Sequence, residues 1–110
     1  MNSKMNHNVP IACDLAAIDA DVRSTHLTTA EQLLRHDAAE VQELSDGYTF
    51  RFGAEQYPQV TAFIANERLC CPFFTFTLEV TPAQGPLWLR ITGSEEIKGF
   101  LQSALGVCTC

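Results

Sequence analysis

Cys70 and Cys71 stand side by side ahead of Pro72, and here residue type and spacing point most directly to chemistry in this chain of 110 residues. Two neighbouring side chains on a regular helix diverge. Where a proline forces the backbone off its helical path, they can turn toward one spot. Thiolates are the ligands that soft cations such as mercury(II), copper(I), arsenic(III) or zinc(II) prefer. Cys70 and Cys71 are therefore the candidate primary ligands of a metal site, expected to converge on an accessible pocket. The negative end of the preceding helix works against them by raising thiol pKa values, and Arg68 beside the pair offsets that effect.

Three further cysteines complete the donor inventory. Cys13 directly precedes the first expected helix, where exposed N–H groups and the positive dipole end favour a thiolate, so it is the candidate third ligand. Cys108 and Cys110 form a Cys-x-Cys pair beyond Gly106 and are expected to act as an accessory pair. His26 and His36 lie too far apart for a zinc knuckle, and no second cysteine knuckle exists, so structural zinc is not expected. His26 reads as an ordinary, partly buried histidine and His36 as a helix-end residue. Glu67 and Arg68 read as a solvated helix face.

The same cysteines admit two other roles. One of the adjacent thiols can be the nucleophile and the other the resolving thiol of a redox switch or cysteine-dependent enzyme. Alternatively every cysteine is packing, because free cysteine is among the most buried residue types, and the face carrying Trp88 recruits a partner. No phosphate loop, dinucleotide fingerprint or nucleophile elbow is present, so neither a nucleotide nor a flavin cofactor is indicated.

The elements that must position these residues follow from hydrophobic periodicity. Asp14 is placed to cap a helix carrying Leu15, Ile18, Val22, Ala30, Leu33 and Leu34. We read it as one helix with an irregularity, although Thr28 and Glu31 also match the capping box of a second helix. Val41–Leu44 and Tyr48–Phe52 flank Ser45-Asp46-Gly47, a hairpin whose Asp-Gly pair supplies the positive φ of a tight turn. Pro58 opens a second helix with an apolar stripe at Val60, Phe63, Ile64 and Leu69, ending near Cys70. Phe74, Phe76, Leu78 and Val80 alternate with polar residues and pair, across the loop Thr81–Pro86, with Leu87, Leu89 and Ile91. Ser94 caps a third helix bearing Ile97, Phe100, Leu101, Ala104 and Leu105, stopped by Gly106.

The expected fold is thus α+β: an antiparallel sheet of about four strands, built as two hairpins with helices on one face, in the order helix-hairpin-helix-hairpin-helix. Residues 1–8 form a disordered lead, 9–106 a single domain in which Val9–Ala12 can add an edge strand, and 107–110 a flexible tail. A sheet edge of this kind offers a route to a homodimer.

Composition narrows the function classes. Hydrophobic residues make up 46% and charged residues 18%, a globular balance. Seven basic against thirteen acidic residues leave a net charge of −6, so the long-range field repels phosphate backbones and anionic lipid. Nucleic acid and membrane are not expected partners; a metal ion or a thiol partner is. No apolar run approaches the roughly 20 residues of a membrane helix, and Met1 to Pro10 lack a secretory core, so the expected compartment is the cytoplasm.

The run Glu67-Arg68-Leu69-Cys70-Cys71-Pro72-Phe73-Phe74, with Gly85-Pro86-Leu87-Trp88-Leu89-Arg90-Ile91-Thr92-Gly93, resembles a family of small bacterial proteins of uncharacterised activity. Related segments resemble those found with, or fused behind, regulators of the mercury-resistance type. The resemblance covers roughly residues 46–101, and it implies a heavy-metal or thiol-linked role. The chain has no helix-turn-helix segment in front, so it is not itself expected to be a DNA-binding regulator.

Overall fold

The computed structural model describes residues 15–96 together with 98 and 99. A short 3-10 turn, Leu15–Ala17, leads into helix α1, Ala20–Glu31, which widens without a break into a π-helical segment, Gln32–Asp37. Strands β1, Glu40–Leu44, and β2, Gly47–Phe52, form the first hairpin. A second 3-10 turn, Ala54–Gln56, feeds helix α2, Tyr57–Cys70, and strands β3, Thr75–Val80, and β4, Leu87–Thr92, close the second hairpin.

The two hairpins join through an antiparallel β2–β4 pairing, so the sheet order is β1-β2-β4-β3. The fold is α+β with a four-stranded antiparallel sheet, as expected. The register explains how one face becomes the core. Tyr48 lies opposite Ile91, which lies opposite Phe76, and Phe50 lies opposite Leu89, which lies opposite Leu78. The next row aligns Phe52 with Leu87. These side chains pack with Ile18, Ala30, Leu33, Leu34, Val60 and Phe63 from the helical segments into one apolar cluster. The alternate rows place Thr49, Arg51, Trp88, Arg90 and Thr77 on the opposite face.

Several expectations need correction. The first helix is one continuous run past Thr28, so no second helix starts there, but the irregularity is double. A break at Ile18 and Asp19 separates the 3-10 turn from α1 and rotates the apolar face, leaving Val22 exposed while Ile18 stays in the core. The wider π turn lets the consecutive Leu33 and Leu34 both face inward. Two α-helices have both ends among the described residues. Of the helix expected from Ser94, the described part, Glu95, Glu96, Lys98 and Gly99, is helical, with a bond from the Lys98 N–H to the Ser94 carbonyl at 2.8 Å. The rest of that helix, the lead, the Val9–Ala12 strand and the tail lie outside the described residues.

The first hairpin also turns for a different reason from the one expected. Leu44 pairs with Gly47, so the loop is Ser45 and Asp46, and no described glycine has positive φ. Gly47 is needed for space: a β-carbon there would overlap the carbonyl oxygen of Ile91 on the neighbouring strand. The left-handed conformation appears instead at Ala83 and Gln84, both at φ 59°, in the turn closed by the Gly85 N–H on the Pro82 carbonyl at 3.0 Å. That turn resembles type I′, whose central positions favour Asn-Gly, yet here two residues with β-carbons occupy them. Among the described residues, no helix is long and apolar enough to cross a membrane.

Two substitutions test this reading by urea unfolding. Gly47→Ala is expected to lower stability by at least the ~1–3 kcal/mol of an overpacked site. The double substitution Ala83→Asn with Gln84→Gly is expected to raise it by about 1–2 kcal/mol, by relieving left-handed strain. A neutral Gly47→Ala, or a destabilising turn variant, contradicts the respective account.

Candidate metal centre

Helix α2 presents its buried side chains at Val60, Phe63, Glu67 and Cys70, separated by three, four and three residues. That spacing keeps them on one stripe of the helix. The stripe differs from the expected one. Leu69 is 53% exposed, and an acid and a thiol occupy its lower half, with Glu67 1% and Cys70 0% exposed. From the facing helix α1, His26 enters the same interior, 2% exposed and one turn before Ala30. The reading of Glu67 as solvated is therefore overturned, and His26 is fully rather than partly buried. The i, i+7 relation of Glu67 to Val60 was the available signal for Glu67. His26 shares a face with Ala30 and Leu33, which was the signal for it.

A buried carboxylate requires donors, because an unpaired charge in an apolar interior is costly. Glu67 meets that requirement through Oε1, which lies 2.9 Å from His26 Nε2, with the Cys70 sulfur 3.8 Å away. The imidazole stacks on Phe63, with ring centroids 5.8 Å apart and planes at 22°. Phe63 in turn meets Phe76 edge-on, and Phe76 meets Phe74. An aromatic wall from α2 and β3 thus flanks the polar cluster. His26 Nδ1 is buried without a hydrogen-bond partner.

Cys71 arrives by the route expected from Pro72. Its backbone leaves the helix at φ −128° and ψ 71°, while its N–H still bonds the Glu67 carbonyl at 2.7 Å. The departure swings its side chain back, so the sulfurs of Cys70 and Cys71 lie 3.7 Å apart. At that distance they are not bonded to one another, a disulfide bond being about 2.05 Å long, yet each of the two cysteines is disulfide-bonded. Glu67, Cys70 and Cys71 each have further partners beyond these contacts. The separation matches the ~3.75 Å edge subtended by two sulfurs at ~2.3 Å from one tetrahedral ion. The sulfurs converge as expected, but in the interior, with Cys71 also 0% exposed, and not on an accessible pocket. Arg68 is exposed on the outside of α2.

The ligating atoms of His26, Glu67 and Cys70 all lie within 4.8 Å of one another, an arrangement able to hold a metal ion. The structure therefore brings an imidazole and a carboxylate to Cys70, donors that the cysteine spacing did not suggest. Cys13, Cys108 and Cys110 lie outside the described residues. The order of the cluster differs from a nucleophile–base–acid relay, in which a histidine stands between thiol and acid. Here the carboxylate is central, between the imidazole and the Cys70 sulfur. No family model, curated protein or solved structure matches the chain.

The buried pair has a stability signature. Leaving a buried polar group without its hydrogen-bond partner typically costs about 1–3 kcal/mol, whereas replacing both partners with apolar groups of the same shape is often nearly neutral. His26→Phe is expected to fall near the lower end of that range in urea unfolding, because Glu67 keeps other partners. Adding Glu67→Leu is expected to recover most of the loss. A double variant as unstable as the sum of its single substitutions contradicts the coupling.

Proposed function

We propose that this chain is a cytoplasmic metal-binding protein that, once the disulfide bonds of Cys70 and Cys71 are reduced, holds a soft or borderline cation through Cys70, with His26, Glu67 and Cys71 as the surrounding donors. The observation that carries the reading is the convergence of a cysteine sulfur, an imidazole and a carboxylate within 4.8 Å in the interior, where the Nδ1 of that imidazole lacks a hydrogen-bond partner. Side chains of these types are seldom buried together for packing alone. Thiolate coordination supplies affinity and discriminates against hard ions, while nitrogen and oxygen donors extend the range to zinc(II). Cys13 remains the proposed further thiolate, and Cys108 with Cys110 the accessory pair. Metal resistance or trafficking is the process such a protein would serve.

Native mass spectrometry of the reduced chain, titrated separately with zinc(II), copper(I), mercury(II) and arsenic(III), tests this directly. One ion per chain is expected for at least one of them, with Cys70→Ser weakening that binding at least ~10-fold while Thr77→Ser, on the opposite sheet face, leaves it unchanged. A mass unchanged by all four ions ends the proposal.

A further inference from the structure

Helix α2 begins beside a cavity that the cluster at its other end does not use. Tyr57 opens the helix and Cys70 ends it, so the two lie about 20 Å apart along its axis. The cavity, about 490 Å³, is a crevice between the start of α2, with the 3-10 turn ahead of it, and the loop joining β3 to β4. That volume falls within the ~300–1,000 Å³ of small-molecule sites.

The lining is distinctive. Leu87, a core residue 1% exposed, reaches it from β4, while Tyr57 and Val80 flank it at 47% and 56% exposed. Apolar surface is thus left in water on both sides of one crevice. No charged side chain lines it, although the chain carries seven basic and thirteen acidic residues. The Tyr57 hydroxyl and the Gln84 amide border it, and neither side chain hydrogen-bonds to a described residue. Thr81 is already committed, its hydroxyl donating to the Pro86 carbonyl at 2.7 Å.

The turn at its wall gives the second observation. Ala83 and Gln84 both hold φ 59°, a conformation that favours Asn and Gly, and both line the crevice. The chain therefore keeps side chains at two positions where they cost stability, and those side chains form the wall of a cavity. Strain of this kind collects where a ligand is held.

From these observations we infer that the crevice binds an uncharged aromatic small molecule carrying one hydrogen-bonding group. Its ring packs against Tyr57, Val80 and Leu87, and its polar group meets the Gln84 amide, which can donate and accept. A charged ligand would lose hydration without meeting a counter-charge. The Thr81–Pro86 bond and the 3.0 Å bond from the Gly85 N–H to the Pro82 carbonyl brace the loop beforehand, so binding orders little.

The test titrates the full chain with indole and follows backbone amide NMR shifts. Saturable one-to-one binding with a dissociation constant below ~1 mM is expected, with shifts centred on Ala54, Tyr57, Thr81, Gln84 and Gly85. Indole-3-acetate, the same ring bearing a carboxylate, is expected to bind at least ~5-fold more weakly. Tyr57→Ala and Gln84→Ala are each expected to weaken indole at least ~3-fold. The double substitution Ala83→Asn with Gln84→Gly is expected to raise the urea midpoint while weakening indole at least ~3-fold, a pairing that a purely structural turn would not produce. Absence of saturable binding, shifts centred elsewhere, or an affinity indifferent to Tyr57 and to the turn overturns the site.

Discussion

The carboxylate of Glu67 sits in the interior of a small domain, and the chain cannot place it there without bringing donors to it. That constraint ties together parts of the molecule far apart in sequence. His26 must come from α1, which aligns α1 against α2 and stacks the imidazole on Phe63. Cys70 must lie one turn beyond Glu67 on the same stripe, which commits α2 to present a sulfur to the core at its last residue. Pro72 then ends the helix, and Cys71, forced off the helical path, turns its sulfur to that of Cys70. An acid-centred network with partners on two helices specifies one arrangement of those helices, where an apolar contact would accept several.

The legible parts of the fold were those governed by a single local rule. Strict alternation marked β3 and β4, Pro58 and Pro72 bracketed α2, and the two short segments around Ser45-Asp46-Gly47 formed the expected hairpin. The illegible parts depended on competition between elements. Gly47 is required by the nearness of β4, which no local pattern discloses. Ala83 and Gln84 adopt a conformation that their side chains disfavour, so turn chemistry alone pointed elsewhere. At the site, Cys70 and Cys71 were visible from residue type and from Pro72. Glu67 and His26 were hidden because a charged or polar residue is ordinarily assigned to solvent, and only its position on an otherwise apolar stripe argues the reverse.

Burial gives the cluster a particular chemical character. Flanked by Phe63, Phe74 and Phe76, the sulfur, nitrogen and oxygen donors face one another in a low-dielectric interior, where an incoming cation meets strong fields and few competing waters. This physical arrangement carries the functional reading.

X-ray absorption at the zinc edge of the reduced, zinc-loaded full chain addresses the coordination directly. The account predicts a mixed first shell, with sulfur at about 2.3 Å and at least two lighter donors at about 2.0–2.1 Å. A shell of nitrogen and oxygen alone, or of sulfur alone, would show that Cys70, His26 and Glu67 do not share an ion.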